Sequence, residues 1–96
     1  MIVRFNIDPS DVMQQGSYDY RVSYEGEVLF EDAGLGCIEA CIIAATEGLG
    51  QDAVAAEVAF KGFISGTYPL ASLALMSAQI AEHALQTAMA IKEVMR

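Results

Sequence analysis

The sequence between residues 18 and 30 is YDYRVSYEGEVLF, and its pattern indicates how this part of the chain folds. Apolar residues alternate with polar ones on both sides of the central Glu25-Gly26 pair. The alternating apolar residues are Tyr18, Tyr20, Val22, Val28 and Phe30. A period of two is typical of a strand with one buried face. The stretch therefore predicts two antiparallel strands joined as a β-hairpin.

The length of the hairpin loop decides which side chains share a face. A two-residue loop pairs Val22 with Leu29 and turns the apolar residues of the two strands to opposite faces, whereas a three-residue loop over 24–26 pairs Val22 with Val28. The longer loop also puts Gly26 where the chain turns left-handed, which glycine does at little cost. Because a one-residue slip would turn the apolar face to solvent, we predict the three-residue loop.

Upstream of the hairpin, residues 1–8 alternate in the same way and predict a first strand. Its apolar face consists of Val3, Phe5 and Ile7. Asp8 and Pro9 then suit the cap and the first position of a helix, so one or two helical turns are expected before Gly16.

Downstream, residues 35–49 repeat apolar side chains every three or four positions and predict an amphipathic helix, with Asp32 as its cap. Residues 56–65 predict a fourth strand, although a helix beginning at Asp52 is an open alternative. Residues 69–96 predict one long C-terminal helix. Its expected core stripe is Leu73, Met76, Ile80, Ala84, Ile91, Val94 and Met95.

These elements predict a single α+β domain over residues 1–96. We expect a two-layer sandwich in the order β-β-β-α-β-α, in which a mainly antiparallel sheet of three or four strands packs against two helices. A hydrophobic content of 54% excludes a disordered chain.

Composition also limits the function. Five basic against thirteen acidic residues give a net charge of −8, which argues against nucleic acid as a partner, because duplex binding relies on Lys and Arg. Residues 62–81 are uncharged but are interrupted by Pro69 and several polar residues, so we expect no membrane span. Cys37 and Cys41 are expected as reduced, buried thiols, and the absence of an export signal predicts a cytoplasmic protein.

The chain offers little for catalysis. The strand order matches the first half of ribonuclease-H-like folds, in which converging carboxylates hold two metal ions. Asp8 suits the first position here, and Glu39 or Glu47 the second, but the fourth strand offers only Glu57 near its start. His83 is the single histidine and is expected on a polar helix face. We therefore expect no enzyme, no cofactor and no metal site, and an enzyme built on Asp8, Glu39 or His83 is the least favoured hypothesis.

The segment from Asp32 to Cys37, with the alanine-rich stretch IEACIIAATEGL after it, follows a strand and a tyrosine-bearing hairpin. In these features the first half of the chain resembles the HicB antitoxins. That resemblance implies a small acidic protein that masks a basic toxin. The chain departs from that family in having no turn between the Gly-Cys step and the helix, and no recognisable DNA-binding segment follows.

Two surfaces are candidates for protein interaction. Leu75 and Met89 fall among polar positions of the last helix, beside a strip of small residues formed by Ala71, Ala74, Ala78 and Ala81. We expect the protein to be a non-enzymatic interaction module that self-associates through this helix. The alternative is an antitoxin-like or inhibitor-like acidic partner of a basic protein, bound through the hairpin acids Glu25, Glu27 and Glu31.

Overall fold

A computed structural model describes residues 1–10, 16–50 and 52–94, and for 92–94 the backbone only. The described chain forms five strands and three helices. They are β1 (Ile2–Pro9), β2 (Tyr18–Tyr24), β3 (Glu27–Leu35), α1 (Ile38–Glu47), β4 (Ala55–Phe60), β5 (Phe63–Pro69), α2 (Leu70–Leu75) and α3 (Ser77–Val94). The α+β class is confirmed, but the described sheet has five strands instead of the predicted three or four, and three helices occur instead of two.

The strands form one mixed sheet in the order β3-β2-β1-β4-β5. β4 runs parallel to β1, because α1 carries the chain back across the sheet, and all other neighbours are antiparallel. The helices cover one face of the sheet. The core beneath them contains Val3, Phe5, Ile7, Val22, Ile42, Val58 and Leu73, each at most 1% exposed. The opposite face, here called the open face, has no helix over it within the described chain.

The predicted three-residue hairpin loop is wrong. Glu25 and Gly26 form a two-residue turn in which both residues have positive φ, +50° and +84°. Such a turn matches the right-handed twist of the strands that it joins. A β-bulge in β3 at Leu29 lets Val22 pair with Phe30 instead of Leu29, so these two side chains share a face as predicted. The predicted pairing of Val22 with Val28 is wrong, because Val28 pairs with Ser23 and is 46% exposed.

The predicted fourth strand over 56–65 is two strands. Lys61 and Gly62, with φ of +55° and +82°, form a second two-residue turn between β4 and β5. The alternative of a helix from Asp52 is also resolved, since Ala55–Phe60 is strand.

Two predicted helix starts differ from the structure. Asp8 and Pro9 continue β1 instead of starting a helix, and the rest of the expected turn, residues 11–15, lies outside the described residues. Asp32 belongs to β3, and α1 is capped by Cys37, whose sulfur accepts the Ala40 N–H at 3.4 Å.

The predicted C-terminal helix is interrupted at Met76, whose φ of −121° and ψ of 28° are not helical. This interruption turns the Met76 side chain out of the core, where it is 47% exposed. The other expected core residues Leu73, Ile80 and Ala84 are buried, and Ile91 is half-buried. The Val94 side chain and Met95 lie outside the described residues.

Candidate interaction surface

Charge is distributed unevenly along the chain, and the fold keeps this division. Residues 1–61 hold eleven of the thirteen acids and three of the five bases, whereas residues 62–91 hold a single formal charge, Glu82. Those thirty residues make up β5, α2 and nearly all of α3. One end of the sheet and the helices after it therefore present an almost uncharged surface.

The exposed side of α2 and α3 within this region is largely apolar. We call it the α2–α3 face, and it consists of Ala71, Ala74, Leu75, Ala78, Glu82, Leu85 and Met89, all exposed. Leu75 is 84% exposed, Met89 58% and Leu85 40%. The structure thus places Leu75, Met89 and three of the four predicted alanines at the surface, whereas Ala81 is buried. The interruption at Met76 divides them between two helices.

Sequence reasoning missed Leu85, the third large apolar side chain of the α2–α3 face. Its spacing from Glu82 and Met89, three and four residues, was the available signal. Leu85 also borders a shallow groove of about 340 Å³ between α3 and the start of α1, to which Tyr18 and Ile38 contribute. This groove widens the apolar surface toward α1.

The start of α3 is held against α1 by a polar contact. Ser77, which is buried at the first position of α3, donates a hydrogen bond from its hydroxyl to Glu39 Oε1 at 3.2 Å. Glu39 therefore links α1 to the start of α3 by a hydrogen bond, and this contact helps to position the α2–α3 face relative to the rest of the domain.

The acidic hairpin residues form a different surface at the opposite edge of the sheet. Glu25, Glu27 and Glu31 are all exposed. Glu31 pairs with its cross-strand neighbour Arg21, with Arg21 Nε 3.0 Å from Glu31 Oε2. Because both side chains are about 60% exposed, this ion pair contributes little to stability.

The catalytic candidates are spread over the molecule. Asp8 follows buried Ile7 in β1 and so points to the open face, whereas Glu39 lies in the helical layer on the other side. His83 is exposed on α3, and Glu57 accepts the Arg4 Nε–H at 2.7 Å. Within residues 1–10, 16–50 and 52–94, no three His, Cys, Asp or Glu side chains are grouped so that they could hold a metal ion.

Burial raises the pKa of two side chains, Cys41 and Tyr20. Cys41 lies in the core, and burial, followed by the neighbouring Cys37, raises the pKa of its thiol to about 11. Burial, followed by Asp32, raises the pKa of the Tyr20 hydroxyl. Cys37 is exposed, contrary to the prediction that both thiols are buried. Two of the three tyrosines of β2 contact other aromatic rings, Tyr18 against Phe60 and Tyr20 against Phe30.

In comparisons with known proteins, no protein family, no curated protein and no solved structure matches this chain. In the part of the chain that the structure describes, no helix combines the length and apolar character needed to span a membrane.

Proposed function

We propose that this chain is a small, non-enzymatic, cytoplasmic interaction module that self-associates through the α2–α3 face. The observation that carries this proposal is the combination of exposed Leu75, Leu85 and Met89 with the near absence of charge over residues 62–91. Contiguous exposed apolar surface on a soluble domain is typical of a contact site.

Electrostatics favours this face for contact between two identical acidic molecules. Each copy carries a net charge of −8, so most possible contacts between copies bring carboxylates together. Like-charge juxtaposition across an interface costs several kcal/mol. A contact through β5, α2 and α3 leaves the charged residues 1–61 of both copies outside it, and at physiological ionic strength charges are largely screened beyond about 8 Å.

Sedimentation equilibrium of the purified chain, from micromolar to millimolar concentration, tests this proposal. We expect the average mass to rise toward that of a dimer, and the Met89→Glu variant to weaken association at least ten-fold, because it puts a second carboxylate into the apolar line beside Glu82.

Val28→Glu is the matched control. Val28 is 46% exposed, lies in β3 at the far edge of the sheet, and acquires the same charge. Its association should equal that of the wild type. A wild-type chain that stays monomeric over the whole range would overturn the proposal, as would equal behaviour of Met89→Glu and Val28→Glu.

A second candidate function rests on the hairpin. Glu25 and Glu27 are exposed and lie in no salt bridge formed by the described residues. Such a pair of acids suits a basic protein partner, as the resemblance to the HicB antitoxins implies. The corresponding test is a low-salt pull-down with Glu25→Lys/Glu27→Lys and, as control, Glu47→Lys on α1. Loss of a basic protein with the hairpin variant alone supports this function, and no basic protein with the wild type counts against it.

A further inference from the structure

Three residues of α3 form an exposed line at the spacing of a helix–helix seam. Glu82, Leu85 and Met89 follow one another at intervals of three and four residues, and all are exposed. Ala78 precedes them with the same spacing. The next position in the series is 92, a lysine that lies on α3. Intervals of three and four keep side chains on one line along a helix, as at the a and d positions of coiled coils.

Glu82 lacks a counter-charge in the described chain. Its carboxylate accepts a hydrogen bond from a neutral group, the Gln86 side-chain amide, whose Nε2 lies 3.2 Å from Glu82 Oε1. The two salt bridges of the described residues are Arg4–Glu57 and Arg21–Glu31, both in the sheet. A carboxylate beside Leu85 and Met89 is unfavourable at an apolar contact unless the partner supplies a cation.

The possible pairings of α3 with a second copy differ in what they place opposite Glu82. A parallel pair in register puts it opposite Glu82 of the other copy, where the charges repel. An antiparallel pair shifted by one heptad puts it against Leu85 of the other copy. The antiparallel pair that places Leu85 opposite Met89 of the second copy places Glu82 opposite its position 92.

We propose that two copies of this chain pair antiparallel through α3, with Leu85 of each against Met89 of the other and Glu82 of each opposite Lys92 of the other. This inference rests on the proposed self-association and specifies its geometry. A two-fold axis between the helices generates both apolar contacts and both charge pairs.

Charge reversal with rescue tests this register. Sedimentation equilibrium is run on the wild type, Glu82→Lys, Lys92→Glu and the double variant. Each single reversal opposes like charges at two symmetric sites, and we expect each to weaken the dimer roughly ten-fold. The double variant restores opposite charges and should associate within about three-fold of the wild type.

Glu47→Lys is the control for net charge. It changes the net charge as Glu82→Lys does but lies on α1, so it should leave association unchanged or slightly stronger. Both variants lower the overall repulsion between copies, so weakening by Glu82→Lys reports a local contact. Circular dichroism verifies that each variant is folded.

The outcomes separate this inference from the proposed function. A dimer that Met89→Glu disrupts, but in which the double variant does not recover, overturns the antiparallel register and leaves self-association standing. A wild-type chain that is monomeric throughout overturns both. Recovery in the double variant supports both.

Discussion

The contact between the end of α1 and strand β3 allows a sharp test of the packing. Gly48 caps α1 with φ of −80° and ψ of −8°, a conformation open to any residue. A Cβ atom at this position would lie 2.7 Å from Cε2 and 2.8 Å from Cζ of Phe30. Such distances are too short for carbon atoms, so in Gly48→Ala either the Phe30 ring or the helix end must move.

The size of the effect follows from two opposing contributions. Overpacking of this kind costs about 1–3 kcal/mol. Replacing glycine where the backbone is unstrained stabilises the folded state by about 0.4–1 kcal/mol, because the unfolded chain loses freedom. The net result is a loss of about 1 kcal/mol, which lowers the Tm of a domain this size by roughly 4–8 °C. Phe30 also packs edge-on against Tyr20, with ring centroids 6.3 Å apart, so displacing it disturbs the core.

Thermal unfolding followed by circular dichroism measures the effect, with Gly50→Ala as the control. At Gly50 no heavy atom lies within 4 Å of the added Cβ, so this variant should be as stable as the wild type or slightly more stable. In the Gly48→Ala background, Phe30→Leu should cost less than in the wild type, since it removes the clash. A Gly48→Ala chain as stable as Gly50→Ala would refute the packing of α1 on β3.

Two further predictions test the helical layer and the thiols. Leu73→Ala should lower the free energy of unfolding in urea by about 2–5 kcal/mol, since Leu73 is fully buried. Leu75→Ala, two residues away and exposed, should change it by about 0.5 kcal/mol or less. Equal losses in the two variants would contradict the orientation of α2. Because burial raises the pKa of Cys41 to about 11, its contribution to stability should be complete below about pH 9, where the unfolded thiol begins to ionise, and be lost as the pH rises toward 11. The loss should be steeper for the wild type than for Cys41→Ala, and a thiol reagent at pH 8 should modify Cys37 in the folded chain and Cys41 only after unfolding.

The hairpin illustrates what alternation can and cannot predict. For Val22 and Phe30 to share a face, the hairpin needs one residue more than a regular pairing across a two-residue turn allows. The alternating pattern does not show where that residue lies. A three-residue loop and a two-residue loop with one bulge satisfy the same parity. The chain places the extra residue at Leu29 in β3, because the Glu25-Gly26 turn suits the twist of the strands. The shared face of Val22 and Phe30 was therefore predictable, whereas the location of the odd residue, and with it the face of Val28, was not.

The candidate surface was predictable to a similar degree. Helical periodicity alone placed Leu75 and Met89 among polar positions, and both are exposed. Neither proline nor glycine, the residues that ordinarily break a helix, stands at the interruption at Met76. The exposed Met76 side chain could therefore not be predicted from the sequence. Strand β5 was missed for a related reason: Lys61 adopts a positive φ, which is uncommon for lysine, so the turn before β5 carries a weak sequence signal.

Salt dependence separates the two proposed functions, because they use different parts of the charge distribution. Two copies that meet through residues 62–91 repel each other through residues 1–61, and added salt screens this repulsion. Salt also screens the attraction between Glu82 and position 92. That attraction involves only two charge pairs, so it is smaller than the repulsion between two copies that each carry a net charge of −8. We therefore expect the dimer to remain as stable or to become more stable between about 50 and 300 mM salt, because screening of this repulsion increases over that range. A complex of Glu25 and Glu27 with a basic protein rests on attraction alone and must weaken over the same range. A self-associated form that dissociates steeply with salt would therefore argue against contact through the α2–α3 face.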